Sequence, residues 1–315
     1  MPKLFYLLWA PFKTVFLALQ LFWLMCCVTQ CPHIIFVQNP PSIPTLFIAK
    51  LTAFIRQTWL IIDWHNFGYS VLGKTLGDHH PIVSFAESFE RYFGRDARAH
   101  LTVTDKMQNK LKSWGVQGTI VTLRDRPQAN FKRLTLNEIH DASCLNVKVS
   151  VISAEFLGHI HEADTLLTCK ENGDDAKFRQ NRPKLVVSST SWTEDEDFSL
   201  LLQAAKFYDD EAPPDAPNIL FVITGKGPLK DFYEKKISKM HLTRTRIVTS
   251  WLSNEDYSSL LGCADLGVSL HTSTSGVDLP MKIVDMFGSG LPVCAVNFEW
   301  WVKNTRRKKM NSSCL

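Results

Sequence analysis

Apolar and polar positions alternate along the first half of the chain in the order typical of parallel strands joined by helices. Short apolar runs predict strands at 33–38, 58–65, 99–104 and 118–123. Longer amphipathic stretches predict helices at 42–56 and 81–93. Such alternation predicts a parallel sheet covered by crossover helices.

The same alternation returns in the second half, after a less regular stretch. Strands are predicted at 184–190, 218–225, 246–252, 265–271 and 291–296. Helices are predicted at about 196–209, after Pro228, and over 254–263. Between the halves, 129–183 has scattered charge and weak periodicity, which indicates a linker or surface insertion. The fold class is therefore α/β, with two sheets.

Composition narrows the function classes. The 315 residues are 45% hydrophobic, enough for about two domains with sizeable cores. A net charge of +4 without a basic stripe among aromatics argues against nucleic acid as a partner. The eight cysteines contain no CxxC pair, which argues against structural zinc and a disulfide scaffold and favours a reducing compartment.

The first 30 residues form a hydrophobic region. Between Leu4 and Val28 the only formal charge is Lys13, so the segment is long enough to reach a membrane. A transmembrane span and a helix that lies on the membrane or is buried both remain open. A signal peptide would need a small-residue cleavage site, which is not clear here.

Polar, glycine-containing loops follow three strands of the second half. They are 188–195, Gly225–Gly227 and Thr272–Gly276. Because ligands collect beyond the carboxyl ends of parallel strands, we expect these loops to face one cleft. Lys226 can supply a charge to a diphosphate, although a tight turn is an equally good reading of this tripeptide alone.

A short helix at about 280–287 follows the last of these loops. Lys282 and Asp285 are three residues apart and share a face, whereas Ile283, Val284 and Phe287 can turn inward. A cation and a carboxylate suit a phosphate and a sugar hydroxyl. The alternative is an ordinary βα unit with solvated polar residues.

The first half offers candidate acid–base chemistry at the end of a predicted strand. Asp63 and His65 stand where an apolar run ends, and a histidine there can act as a base. A histidine that merely bonds the neighbouring loop is the commoner outcome.

Four segments together resemble one family: IDWHNFGYS, SSTSWTEDEDF, VITGKGPL and ADLGVSLHTSTSGVDLPMKIVDMFGSGLPVCAV. They are similar to the chitobiosyldiphosphodolichol beta-mannosyltransferases, and the likeness runs from about Tyr6 to Phe298. The resemblance implies the GT-B fold, with two Rossmann-like domains. It also implies transfer of the first mannose from GDP-mannose to dolichyl-diphosphate chitobiose, in β-1,4 linkage and with inversion.

The resemblance implies a cellular setting as well. It places the chain on the cytosolic face of the endoplasmic reticulum membrane, alongside other lipid-linked oligosaccharide glycosyltransferases, in assembly of the oligosaccharide for N-glycosylation. GDP-mannose would be the donor substrate, and neither a separate cofactor nor a metal ion is expected.

The resemblance also assigns residues. Asp63 and His65 are candidates for the base of an inverting transfer, because Val277 stands where retaining relatives carry the first of two glutamates. The implied donor-binding residues are Trp192, Thr193, Asp195, Gly225, Lys226, Gly227, Thr272, Ser273, Ser275, Gly276, Lys282 and Asp285.

The ends of the chain depart from the family. A glycine-containing first βα unit is missing, and the chain ends in a basic tail unlike the family, so both domains are expected to be incomplete. The predicted division is a membrane-associated region 1–30, an acceptor-side domain 31–150, a linker 151–182, a donor domain 183–298 and a tail 299–315. The alternative function is a catalytically inactive, truncated form that binds nucleotide or a protein partner. An oxidoreductase would need a GxGxxG run, which does not occur.

Overall fold

The computed structural model describes residues 3–142, 164–170, 175–194, 196–272 and 280–296, together with Phe156 and Gly276. The chain separates into two compact units between Asp125 and Arg126. The second unit takes in the described residues of 126–272 and 280–296, and Gly276 groups with the first unit. This division falls earlier in the chain than the predicted domain bounds 31–150 and 183–298.

The first unit is a parallel sheet with helices, in the strand order β1-β2-β3-β4. Its strands are β1 (Ile34–Asn39), β2 (Trp59–Trp64), β3 (Ala99–Thr102) and β4 (Thr119–Thr122). Its helices are α1 (Lys3–Trp23), continued by a π-helical turn (Leu24–Val28), α2 (Thr45–Ile55), α3 (Gly68–Leu76), α4 (Pro81–Phe93) and α5 (Asp105–Ser113). Alternate residues of β2, Leu60, Ile62 and Trp64, are buried in the unit's core.

The second unit contains a larger parallel sheet in the order β11-β10-β7-β8-β9. Its strands are β7 (Lys184–Ser189), β8 (Ile219–Thr224), β9 (Thr245–Ser250), β10 (Leu266–Ser269) and β11 (Val293–Ala295), and β5 (Thr168–Cys169) pairs with β6 (Lys177–Phe178) in a separate hairpin. Its helices are α6 (Leu136–Asp141), α7 (Ser199–Glu211), α8 (Lys230–Ile237), α9 (Asn254–Cys263) and α10 (Met281–Gly288).

Both faces of this second sheet are covered by apolar side chains. Leu185 and Val187 of β7 enter one core cluster, whereas the intervening Val186 enters another on the opposite face. Period-two alternation sends successive side chains to opposite faces, so a strand covered on both sides must be apolar throughout. The α/β class with parallel sheets is confirmed.

The irregular stretch before β7 belongs to the second unit's core where it is described. Phe131, Ile139 and Leu167 are 7%, 1% and 0% exposed. The α6 helix begins with a capping box, in which Thr135 accepts from the amide of Glu138 and the Glu138 carboxylate accepts from the amide of Thr135. These residues are therefore packed structure rather than an exposed linker, and their short elements left no periodicity to read.

Two helices of the first unit were not predicted. The α3 helix contains glycines at both Gly68 and Gly73, which weaken a helical pattern. The α5 helix is almost entirely polar and buries only Met107 and Leu111. Its start is fixed by Thr104, whose hydroxyl accepts from the amide of Met107.

One apolar segment in the described chain is long enough to cross a membrane. It spans Pro11–Val28, with a mean hydropathy of 1.7, and none of it is buried within the protein. The segment is a candidate span by its length and composition. A signal sequence shares both of these properties.

Candidate functional site

The carboxyl ends of three neighbouring strands of the second unit line one cavity of about 380 Å³, a size that suits a small-molecule ligand. Its walls are the loops after β7, β8 and β9 and the beginning of α10. The lining residues are Ser189, Thr190, Thr224, Gly225, Trp251, Leu252, Ser253, Asn254, Tyr257, Met281, Lys282 and Asp285. The loop after β9 was not predicted to take part.

A buried carboxylate, Glu196, organises the loop after β7. It is 2% exposed, and one of its oxygens accepts hydrogen bonds from the Thr190 hydroxyl and, at 2.8 Å, from the Ser191 amide. A backbone bridge joins Glu196 to His271, two residues after the end of β10. The carboxylate therefore fixes the conformation of the loop at the mouth of the cavity.

Lys282 brings a positive charge to the cavity from the first turn of α10. Its ammonium lies 2.6 Å from the other Glu196 oxygen and 3.4 Å from the Ser191 hydroxyl. The Lys282 side chain is 28% exposed, so it retains access to a ligand while Glu196 holds it in place. An ammonium held at the positive end of a helix suits an anionic ligand.

Asp285 lines the same cavity one helical turn later, which confirms that Lys282 and Asp285 share a face. Burial raises the pKa of Asp285 to about 6. Nearby, the Tyr257 hydroxyl lies 2.7 Å from the Ser189 hydroxyl, and burial, with the negative charge of Asp285, raises the pKa of Tyr257 to about 12. The site therefore offers a carboxylate and two hydroxyls to a polyhydroxylated ligand.

One residue of α10 was predicted wrongly. Ile283 and Val284 turn inward, being 1% and 7% exposed, but Phe287 is 46% exposed. Met286 takes the core position instead, with its sulfur packed so close to Gly267 that a Cβ there would lie 2.6 Å from it.

Gly225 and Gly227 are required by the contact between two loops. A Cβ on Gly225 would lie 1.8 Å from the Thr190 carbonyl oxygen, and one on Gly227 would lie 1.7 Å from the Ser191 carbonyl oxygen. The glycines therefore allow the loop after β8 to pass directly against the loop after β7. Lys226, between them, is exposed, and its ammonium lies 4.3 Å from the ring centre of Trp251 on the cavity wall.

The Trp192 side chain does not reach the cavity. It is 1% exposed, packs against Phe198 and Tyr233, and donates from its indole nitrogen to the Gly225 carbonyl at 3.3 Å. Its contribution is to hold the two loops together. Thr193 is partly buried, with its carbonyl accepting from the Glu196 amide at 3.1 Å, and Asp195 lies outside the described residues.

The loop after β10 is described only in part. Thr272 is exposed at its start, and Ser273 and Ser275 lie outside the described residues. Gly276 has a φ of 64°, in the left-handed region that glycine adopts readily, but it groups with the first unit. Thr272 is not among the residues that line the cavity.

In the first unit, Asp63 and His65 form a pair at the end of β2. The Nε2 atom of His65 lies 2.9 Å from an Asp63 carboxylate oxygen, and both side chains are partly exposed. A third group, Asp125, is close enough to sense both. Burial raises the pKa of Asp125, the His65 charge opposes that shift and the Asp63 charge adds to it. An imidazole held by a carboxylate is an arrangement that can accept a proton.

Among the described residues, no group of three or more histidine, cysteine, aspartate or glutamate side chains is placed to hold a metal ion. Independence from a metal stays a prediction.

Several residues of the site were not predicted from the sequence, among them Glu196, which holds Lys282, and Trp251 and Tyr257, which line the cavity. Glu196 stands in a run of acidic residues that gives no sign of which one is buried, and its partner Lys282 is 86 residues away. Trp251 lies in the loop directly after β9 and Tyr257 lies in α9, and this loop lacks the glycines that drew attention to the other strands. A survey of every strand end, rather than of the glycine-rich ones, would have found them.

Several curated proteins similar to this chain carry the same description. The chain is 40% identical over 307 residues to a chitobiosyldiphosphodolichol beta-mannosyltransferase of Dictyostelium discoideum, covering 91% of this chain and 61% of that protein. The corresponding Mus musculus protein is 44% identical over 296 residues, with 91% and 60% covered. A protein of Arabidopsis thaliana named UDP-glycosyltransferase TURAN is 43% identical over 321 residues, with 94% and 68% covered.

Solved structures agree on the fold. A trehalose-phosphate synthase (UDP-forming) from Burkholderia vietnamiensis gives a TM-score of 0.55 at 9% identity, covering 92% of this chain and 65% of that one. The N-terminal domain of a Candida albicans trehalose-6-phosphate phosphatase gives the same score at 14% identity. No family model matches the chain. The chain has the GT-B glycosyltransferase fold. It spans 60% to 68% of the length of the three curated relatives. On this similarity the chain belongs to the chitobiosyldiphosphodolichol beta-mannosyltransferase family.

Proposed function

We propose that this chain transfers mannose from GDP-mannose to dolichyl-diphosphate chitobiose, forming a β-1,4 linkage with inversion at the sugar carbon. The observation that carries the proposal is the strand-end cavity of the second unit, into which Lys282 and Asp285 both project. The names of the Dictyostelium and mouse relatives support mannosyl transfer to a dolichol-linked chitobiose.

The proposed donor site divides between charge and hydroxyl recognition. Lys282, fixed by Glu196, and the exposed Lys226 would neutralise the diphosphate, and Asp285 would accept a hydrogen bond from a ribose hydroxyl. Trp192, Thr193, Asp195, Gly225 and Gly227 would shape the loops, with Thr272, Ser273, Ser275 and Gly276 completing the diphosphate side. Lysine charges at the leaving diphosphate stabilise developing negative charge, so we expect activity to persist in EDTA.

The proposed chemistry needs one base. The acceptor hydroxyl oxygen bonds to C1 of mannose while the bond from C1 to the diphosphate oxygen breaks, and that electron pair leaves with GDP. The hydroxyl proton passes to the Asp63–His65 pair, whose 2.9 Å contact holds the imidazole in orientation. Attack from the side opposite the leaving group gives inversion.

The proposed location is the cytosolic face of the endoplasmic reticulum membrane, near other enzymes of lipid-linked oligosaccharide assembly. The apolar Pro11–Val28 segment supports attachment to a bilayer, where a dolichol-linked acceptor resides.

Mannosyl transfer by the purified full chain in detergent micelles tests the proposal. Radiolabelled mannose from GDP-mannose should appear on phytanyl-diphosphate chitobiose, in a product that β-mannosidase cleaves. Because the Arabidopsis relative is named a UDP-glycosyltransferase, UDP-glucose and UDP-N-acetylglucosamine serve as competing donors. Transfer from a UDP-sugar alone would overturn the assignment of the donor.

Variants separate the two half-sites. Lys282→Met should weaken GDP binding, whereas Lys239→Met, a change at an exposed lysine of the same unit, should not. Asp63→Asn should abolish transfer and leave GDP binding intact. Nucleotide binding without transfer by the unmodified chain would favour a nucleotide-binding role over catalysis.

A further inference from the structure

The α4 helix carries a second apolar stripe that faces solvent. Its inward face is formed by Val83, Ala86 and Glu90, while Ile82, Phe85 and Tyr92 lie on another side. Phe89 lies between Phe85 and Tyr92 on that side, but it is partly buried and also packs against the unit's core. Ile82, Phe85 and Tyr92 are 52%, 61% and 68% exposed. A surface helix needs one apolar stripe for its own core, so a second one indicates contact with something apolar outside the unit.

The outward stripe meets α2 through aromatic rings in tilted and edge-to-face contact. Phe89 and Phe93 have ring centres 4.5 Å apart, and Phe93 meets Phe47 of α2 at 5.2 Å. Farther along α2, Phe54 is 75% exposed. We name the α2–α4 face by its exposed residues and the two partly buried rings between them: Phe47, Phe54, Ile55, Ile82, Phe85 and Tyr92, with Phe89 and Phe93.

This face adjoins the end of the membrane-length apolar segment. Arg56, at the end of α2, donates hydrogen bonds to the carbonyl of Met25 and, at 2.9 Å, to that of Thr29. The Cys26 thiol lies 3.7 Å from the Thr52 hydroxyl. The carboxyl end of Pro11–Val28 is therefore fastened beside Phe54, and a bilayer that holds the segment would meet the face where the segment emerges.

The polar groups around the face also suit a bilayer surface. The Lys50 ammonium lies 5.1 Å from the ring centre of Tyr92 and pairs with Asp96 at 2.8 Å, and Arg91 is exposed on α4. Aromatic rings with lysine or arginine at their edge are typical of the headgroup level, where long side chains reach toward phosphates.

We infer that the α2–α4 face is a docking surface for the lipid bilayer, which the first unit contacts at the boundary between headgroups and acyl chains. The inference rests on the proposed membrane attachment through Pro11–Val28 for its orientation, and it adds a surface contact that the apolar segment alone does not provide. Such contact would hold the first unit close to a membrane-borne acceptor.

Photocrosslinking tests the inference in proteoliposomes of phosphatidylcholine and phosphatidylinositol that contain the full chain. p-Benzoylphenylalanine replaces Phe85 in one variant and Ser84 in a matched control, which is exposed on the same helix, roughly 120° around its axis from the stripe. After irradiation, mass spectrometry should find lipid adducts in large excess at position 85. Circular dichroism and resistance to protease verify that both variants are folded.

Two results would overturn the inference. Equal lipid adducts at the two positions would show that the stripe has no special contact with lipid, and a protein–protein adduct at position 85 would assign the face to a second copy. Flotation with the vesicles separately reports attachment, and mannosyl transfer in micelles reports the catalytic proposal. A wrong docking surface can therefore be distinguished from a failure of membrane attachment and from a failure of catalysis.

Discussion

The ion pair between Glu196 and Lys282 gives the sharpest prediction for the second unit. The ammonium and carboxylate atoms are 2.6 Å apart, and the side chains are 2% and 28% exposed. At that distance and an effective dielectric of about 20, the gross Coulomb attraction is about 6 kcal/mol. Desolvation of Glu196 opposes most of this, so the net coupling is much smaller.

Replacing Lys282 by Met leaves the Glu196 carboxylate buried without its cation. Removing one partner of a fully buried pair costs about 3–5 kcal/mol. Here the Ser191 amide and Thr190 hydroxyl still donate to Glu196. The Lys282 side chain is 28% exposed, so water can enter the space that its ammonium leaves. We therefore expect Lys282→Met to lower the free energy of unfolding by about 2 kcal/mol.

A double-mutant cycle isolates the pair from other effects. Glu196→Gln keeps an oxygen that can accept the two remaining hydrogen bonds while it removes the charge. The combined Glu196→Gln, Lys282→Met variant should be less destabilised than the two single variants together, with a coupling energy of about 1–2 kcal/mol.

Hydrogen-exchange mass spectrometry of the full chain in micelles measures this cycle, because the slowest amides of β7 and β8 report global opening of the second unit. Lys239→Met provides the control for a change at an exposed lysine. Additivity of the single variants to within about 0.5 kcal/mol would refute the reasoning that the pair is coupled.

The remaining predictions concern pH and packing. Asp285 has a raised pKa of about 6, so GDP-mannose should bind more weakly as pH falls through that value. GDP-mannose itself has no phosphate group that titrates in this range. In calorimetry, the Asp285→Asn variant should bind GDP-mannose weakly and without this pH dependence. The raised pKa acts on folding in the opposite sense, since the contribution of Asp285 to stability is lost as pH rises through about 6. Gly225→Ala should destabilise the second unit by at least about 2 kcal/mol, measured by hydrogen exchange, because its Cβ would meet a carbonyl oxygen. Gly77→Ala, at another positive φ but with open space around it, should cost only about 1 kcal/mol. Equal costs would contradict the loop contact. Burial raises the pKa of Asp265, but hydrogen bonds from Arg182 and the Leu185 amide outweigh it and leave the pKa low. The stability that this carboxylate contributes should therefore be lost as pH falls through that depressed pKa. In acid unfolding, the Arg182→Met variant should show most of this pH dependence abolished. An unchanged acid transition in that variant would argue against the pair.

Much of the fold could be predicted because burial on both faces of a sheet demands long apolar runs. Both α4 and α9 match their predicted bounds, since each begins at a cap or proline and carries an apolar stripe. The α5 helix was missed because only two of its side chains face the core. Residues before β7 looked like a linker because Phe131 and Leu167 enter the core singly, without a period.

The candidate site was predictable only in part. Lys282 and Asp285 followed from helical spacing, which places residues three apart on one face whatever the tertiary structure. The buried side chain of Trp192 could not be foreseen, since a tryptophan in a polar loop can point either way. Part of its packing is local, against Phe198, but its contact with Tyr233 depends on α8, which lies elsewhere in the sequence.

The sequence by itself determined the α/β class, the parallel strands, the family and the shared face of Lys282 and Asp285, because each of these depends on local periodicity or on a contiguous motif. Only the tertiary structure decided that Glu196 is the carboxylate that holds Lys282, that the loop after β9 lines the cavity, and that the outward stripe of α4 joins α2. Those arrangements bring together residues far apart in the chain, and their burial is set by which strands become neighbours, a property that no local stretch of sequence records.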